Sequence, residues 1–223
     1  DRQQGEPGDG EDDHAGAEHE HEHEEASGEE EMDGLNDLNR AVELDQSMNA
    51  LSLMQRAMAT VRFSPHDAFH DIERALELEP DNPTIYLIRG HMNAENESSV
   101  DDALQDYSKC IELNQGVPAG YYSRANLLSK YDEYLKDGLS DLDTILDRID
   151  VNYTPAYNLR AIIYHKMEKY DRALQNIEKV IELDPRYPLI YELRGKIYLE
   201  GLGDEKTAKE SFEKAVEYRS MTC

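Results

Sequence analysis

The chain has 223 residues, 39% hydrophobic and 32% charged, enough for one ordinary domain with its own core. Its net charge of −26 repels phosphate backbones and anionic lipid, so neither nucleic acid nor a membrane surface is expected as a partner. No apolar run approaches the length needed to span a bilayer, and two cysteines without a CxxC make no disulfide framework and no paired-thiol motif.

Residues 1–33 come first and hold 15 acids against one arginine. So much charge and so few apolar side chains predict a disordered acidic tail. Within it, the stretch EHEHEHEE sets His19, His21 and His23 between glutamates, with His14 nearby. Imidazole and carboxylate suit zinc, copper or nickel, so a divalent transition metal on the tail is one expectation, and a solvated low-complexity segment is the other. No other cofactor is expected. The chain begins at Asp1 rather than Met. That fits removal of an exported or organellar leader, and equally a cut from a longer chain, so no compartment is assigned. Asn96-Glu97-Ser98 and Asn152-Tyr153-Thr154 match the glycosylation triplet, a pattern common by chance.

After the tail one phrase recurs. RAVELDQ ends at Gln46, RALELEP at Pro80, KCIELNQ at Gln115, DTILDRID at Asp150, KVIELDP at Pro185 and KAVEYRS at Ser220. The separations are 34, 35, 35, 35 and 35 residues. So even a beat is the signature of stacked helical hairpins. Each phrase closes a helix: Ala173, Ile177, Val180, Ile181 and Leu183 form one apolar stripe, and Pro185 ends it. A second phrase opens each unit, as YLIRG (86–90), YYSRA (121–125), YNLRA (157–161) and YELRG (191–195). Its tyrosine brings a large apolar body, and its final small residue lets a neighbouring helix come close.

These two phrases resemble the tetratricopeptide repeat (TPR), whose pattern places an aromatic, a large and a small residue on the first helix, alanine and an aromatic on the second, and a late proline. Unit 151–185 matches through Tyr157, Arg160, Ala161, Tyr164, Ala173, Ile177, Val180 and Pro185, and unit 186–220 through Tyr191, Arg194, Gly195, Tyr198, Ala208, Phe212 and Ala215, with one extra residue in its turn. Units 81–115 and 116–150 are looser, and unit 47–80 matches in its second helix only. Residues 34–46 read as a leading helix or half repeat, or 35–62 as one longer helix. The resemblance implies an all-α, right-handed superhelical solenoid of about five helix-turn-helix repeats.

Arg89 and Asp106 lie 17 residues apart, as do Arg124 and Asp141. On a hairpin this spacing puts one on each helix, so they are expected to pair across it. The matching residues of the next two units are Asn176 and Ser211, which can accept a hydrogen bond from Arg160 and Arg194. Cys110 falls where other units carry small apolar residues and is expected to be buried. Cys223 is terminal. His66, just before a predicted helix, and His70, on it, read as surface residues.

In the family, ligands lie along the inner groove made by each unit's first helix. The fifth, ninth and twelfth repeat positions that face it correspond to Leu87, His91 and Ala94, then Tyr122, Asn126 and Ser129, then Asn158, Ile162 and His165, and finally Glu192, Lys196 and Leu199. One branch of the family grips C-terminal carboxylates with a Lys/Asn/Arg set, to which only Asn126 and Lys196 correspond here. The groove is therefore expected to take an extended or helical peptide or protein segment.

The chain has no glycine-rich phosphate loop, no GxSxG and no HExxH. The expectation is a non-enzymatic scaffold or adaptor that binds a protein or peptide in the groove. Its rivals are a metal-handling protein working through the tail and an accessory subunit of a larger assembly.

Overall fold

The computed structural model describes Arg40 and residues 49–221. The acidic tail, with His14, His19, His21 and His23, the stretch 34–46 apart from Arg40, and Cys223 lie outside the described residues. All regular structure among the described residues is helical. The chain separates into two compact units, Asp1–Glu79 and Pro80–Cys223.

The described part of the first unit is one hairpin, α1 (Ala50–Thr60) and α2 (Pro65–Leu78). The single longer helix over 35–62 does not form. Asn49 is extended (φ −91°, ψ 158°) and its side chain accepts the Ser52 N–H, so a new helix starts at Ala50. The unit carries a full first helix as well as a second. Arg56 of α1 meets Asp71 of α2 through two bonds of 2.5 and 2.6 Å, and Ala57 and Ile72 are completely buried. His66 sits inside the first turn of α2 rather than before it, and is exposed.

The second unit stacks four hairpins: α3 (Pro83–Ala94) with α4 (Val100–Leu113), α5 (Pro118–Leu128) with α6 (Leu135–Thr144), α7 (Thr154–Lys166) with α8 (Tyr170–Leu183), and α9 (Pro188–Lys196) with α10 (Glu205–Ser220). Proline stands at the first or second position of every first helix in this unit, where no intrahelical N–H is needed. Helices α6 and α9 each run on into a π turn, Ile145–Ile149 and Ile197–Gly201. The extra residue of the last repeat is thus partly taken up within the end of its first helix, not only in the turn. Gly201 is needed there, because a Cβ would lie 2.8 Å from Tyr170 Cε1.

The small residue of each first helix is matched in size across the hairpin. A Cβ on Gly90 would lie 2.6 Å from Tyr107 Cε1, and one on Gly195 would lie 2.6 Å from Phe212 Cε1. Where the small residue is Ala125 or Ala161, its counterpart is Leu142 or Ile177, all four completely buried in one cluster. A glycine thus goes with an aromatic ring and an alanine with an aliphatic chain, which keeps the interhelical volume filled.

The arginines form the expected row. Arg89 bonds Asp106 at 2.7 and 3.1 Å, and Arg124 bonds Asp141 at 2.7 and 2.8 Å. Arg160 Nε donates to Asn176 at 2.6 Å, and Arg194 Nη1 to Ser211 at 2.8 Å. Each acceptor is buried, and Arg89, Arg160 and Arg194 also lie over the rings of Tyr86, Tyr157 and Tyr198. Two bonds reach beyond the hairpin: Arg124 to Ser108 at 2.9 Å and Arg160 to Asp143 at 2.7 Å, so the row also ties neighbours. The tyrosine tips close the turns between hairpins. Tyr86, Tyr157 and Tyr191 donate to the carbonyls of Pro80, Val151 and Pro185 at 2.9, 3.0 and 2.9 Å. Cys110 is buried against Gly120, and burial pushes its thiol pKa up, away from the reactive thiolate.

Candidate functional site

The twelve positions expected to face a groove are carried by α3, α5, α7 and the region of α9, but they do not serve one purpose. In the first set, Leu87 and Ala94 pack against the cluster of Ala103, Tyr107 and Leu127. His91 stays at the surface, its ring edge-on to Tyr107 at 5.5 Å and its Nε2 2.8 Å from Ser123 Oγ of α5. Packing desolvates the imidazole and lowers its pKa, against a weaker pull upward from Glu95.

On α5, Asn126 is exposed and Tyr122 half-buried. Ser129 is buried and structural. Its hydroxyl donates to Asn126 O at 2.7 Å, and its own carbonyl accepts Lys166 Nζ of α7 at 2.7 Å. Asn158 and Ile162 lie half-buried along α7. His165 turns to Tyr170, 6.1 Å between ring centroids, and its Nδ1 is buried without a hydrogen-bond partner among the described residues. In the last set Lys196 is exposed, while Glu192 is held by Arg219 of α10. Leu199 lies on the π turn, where it borders an apolar hollow with Ala208, Phe212 and Val216 of α10.

Tyr122 and Asn158 do come together. With Thr154, Pro155, Asp184 and Tyr187 they line a pocket of about 350 Å³. A fixed turn supplies each wall. Thr154 and Pro155 begin α7, Asp184 follows the last residue of α8, and Tyr187 precedes the proline of α9. Asp184 is oriented by Arg186, whose backbone N–H donates to Oδ1 at 3.3 Å. The Tyr153 ring stands edge-on to Tyr122, 6.0 Å between centroids. Burial, then the neighbouring phenols of Tyr153 and Tyr187, raises the Tyr122 pKa and keeps its hydroxyl protonated.

Sequence reasoning found Tyr122 and Asn158 and missed Tyr153, Asp184 and Tyr187. The signal for the two tyrosines was an aromatic residue shortly before the proline that opens a first helix, as in Tyr153-Thr154-Pro155 and Tyr187-Pro188. The pocket offers aromatic faces, an amide, a hydroxyl and a carboxylate. Among the described residues no group of three or more His, Cys, Asp or Glu side chains converges to hold a metal, and no helix is long and apolar enough to cross a membrane.

Residues 154–187 match one tetratricopeptide-repeat profile and residues 189–220 a second. No curated protein is a sequence match. Among solved structures, a tetratricopeptide repeat protein from Parabacteroides merdae is similar at 21% identity and a TM-score of 0.69, over 89% of this chain and 77% of that one. MamA from Desulfovibrio magneticus, residues 41 to the end, is similar at 21% identity and a TM-score of 0.65, over 77% and 96%. YrrB, described as a TPR protein with an unusual peptide-binding site, is similar at 20% identity and a TM-score of 0.59, over 82% and 92%. At these identities the likeness is one of fold.

Proposed function

The chain is a tetratricopeptide repeat protein, and we propose that it is a non-enzymatic scaffold that holds a segment of a partner protein against the face made by α5, α7 and α9. The observation that carries this is the pocket between successive hairpins, which Tyr122 and Asn158 line half-buried, Tyr122 also resting against the core. The equivalent positions elsewhere are spent, Leu87 on the core and Glu192 on Arg219. Helices and fixed turns build the walls, so a ligand would find the site largely formed and lose little to reorganisation. That YrrB, a protein of the same fold, is described as having a peptide-binding site is in keeping with this role.

The test is a partner isolated with the full chain and measured against the double substitution Tyr122→Ala and Asn126→Ala. The affinity should drop at least about tenfold, with the circular-dichroism melt unchanged. Unchanged affinity with an unchanged melt would remove the groove from the function.

A further inference from the structure

The chemistry of the pocket states what kind of side chain it takes. Its walls are Tyr122, Tyr187 and Pro155, and its polar groups are Asn158, Thr154 and the Asp184 carboxylate. Tyr153 extends the aromatic wall behind Tyr122. Among the described residues no cation forms an ion pair with Asp184; the neighbouring Arg186 side chain is exposed, and its bond to Asp184 comes from the backbone. The exposed cations on the same set of first helices are Lys166, whose ammonium donates to the Ser129 carbonyl at 2.7 Å, and Lys196, nine residues along from Tyr187 and about 13 Å away at the helical rise.

Three classes of side chain can be weighed against these walls. An acidic side chain would meet Asp184 with no cation in the walls to offset it. An apolar side chain would fit the rings and the proline but would strip water from Asp184 and Asn158 without replacing its hydrogen bonds. A basic side chain satisfies both halves. Its methylenes lie along the tyrosine faces, its charge is drawn to the rings, and its N–H groups donate to the carboxylate and the Asn158 carbonyl. The net charge of −26 favours approach of a cationic segment from a distance.

We propose that this pocket receives a lysine or arginine side chain of a partner peptide segment, clasped between Tyr122 and Tyr187 with its charge at Asp184. This rests on a segment lying in the groove, as argued above. It adds the chemical identity of the residue that anchors the segment.

The experiment selects binders to the full chain from a library of randomised peptides and keeps those whose binding is lost on Tyr122→Ala. Lysine or arginine should be enriched at one position. Replacing that residue by norleucine in a synthetic peptide should weaken binding about tenfold, the combined worth of a partly desolvated cation–π contact and its ion pair. Asp184→Asn lies in an exposed turn and keeps the Arg186 contact. It should weaken the basic peptide and leave the norleucine peptide unchanged, and it supplies the comparison if Tyr122→Ala does not fold. Groove-dependent peptides without a basic position, or equal affinity for the basic and norleucine forms, would overturn this inference and leave the groove standing. If no selected peptide depended on Tyr122 or Asp184, the groove itself would fall, and this inference with it.

Discussion

The size matching across each hairpin gives a double-mutant cycle at Gly90 and Tyr107. An alanine Cβ at position 90 would lie 2.6 Å from Tyr107 Cε1, 2.8 Å from Cδ1 and 3.3 Å from Asp106 Cβ. Carbon atoms pack best about 3.5–4.0 Å apart, so ring or helix must move by about 1 Å. The ring is 2% exposed and cannot swing into solvent. Overpacking of this kind costs about 1–3 kcal/mol, and the better helix propensity of alanine returns about 1 kcal/mol, leaving Gly90→Ala destabilised by about 0–2 kcal/mol. Tyr107→Leu alone opens a cavity over Gly90 and should cost about 2–4 kcal/mol. Made together, the two changes recreate the Ala125 and Leu142 combination, which is completely buried one hairpin along. The methyl group introduced at position 90 then occupies part of the space the ring leaves. The double variant should therefore be more stable than the sum of the singles by at least about 1 kcal/mol. Urea unfolding followed by circular dichroism measures the cycle, with one signal and one baseline treatment for all four proteins because repeat arrays can unfold in segments. Additivity within about 0.5 kcal/mol would refute the packing rule.

Two further predictions concern polar groups. Asp106 is buried, receives Arg89 and also accepts Asn93 Nδ2 at 3.0 Å. Asp106→Asn mimics Asn176 and should cost about 1 kcal/mol, whereas Asp106→Leu should cost about 2–3 kcal/mol; the Arg89 side chain is 30% exposed, so water covers part of the loss. Equal costs in thermal melts would contradict the role given to the amide. The second prediction is a pH dependence. Folding lowers the His91 pKa below its ordinary value of 6.5, so the unfolded chain binds the proton more readily. The contribution of His91 to stability is complete above pH 6.5 and is lost as pH falls through the folded value. Melting temperatures measured downward from pH 7 should fall less steeply in His91→Gln than in the parent, and parallel profiles would show that His91 contributes nothing.

Much of the fold was legible because it is written once per hairpin. The pairs Arg89–Asp106 and Arg124–Asp141 were readable from a spacing of 17 residues, and Asn176 and Ser211 from the same register. The pair Arg56–Asp71 escaped because the turn after α1 is shorter, which cuts the spacing to 15 and hides the first helix of that hairpin. The site was less legible. Repeat position tells which way a side chain starts out, not what competes for it. Ser129 is claimed by a carbonyl one turn back, Glu192 by an arginine 27 residues on, and Leu87 by a core around Tyr107. The pocket itself is made between hairpins, with Asp184 and Tyr187 contributed by the turn before α9. No single repeat contains it, so no single-repeat pattern could display it.

The central claim is that the first helices of the hairpins form the surface that holds a partner. An amide chemical-shift map of the full chain, titrated with a peptide selected for binding, tests this most directly. The largest changes should fall on α5, α7 and the turn from Asp184 to Tyr187, with α4, α6 and α8 nearly unmoved. Changes concentrated on those second helices, or on the apolar hollow of Leu199, Phe212 and Val216 at α10, would place the partner elsewhere and contradict it.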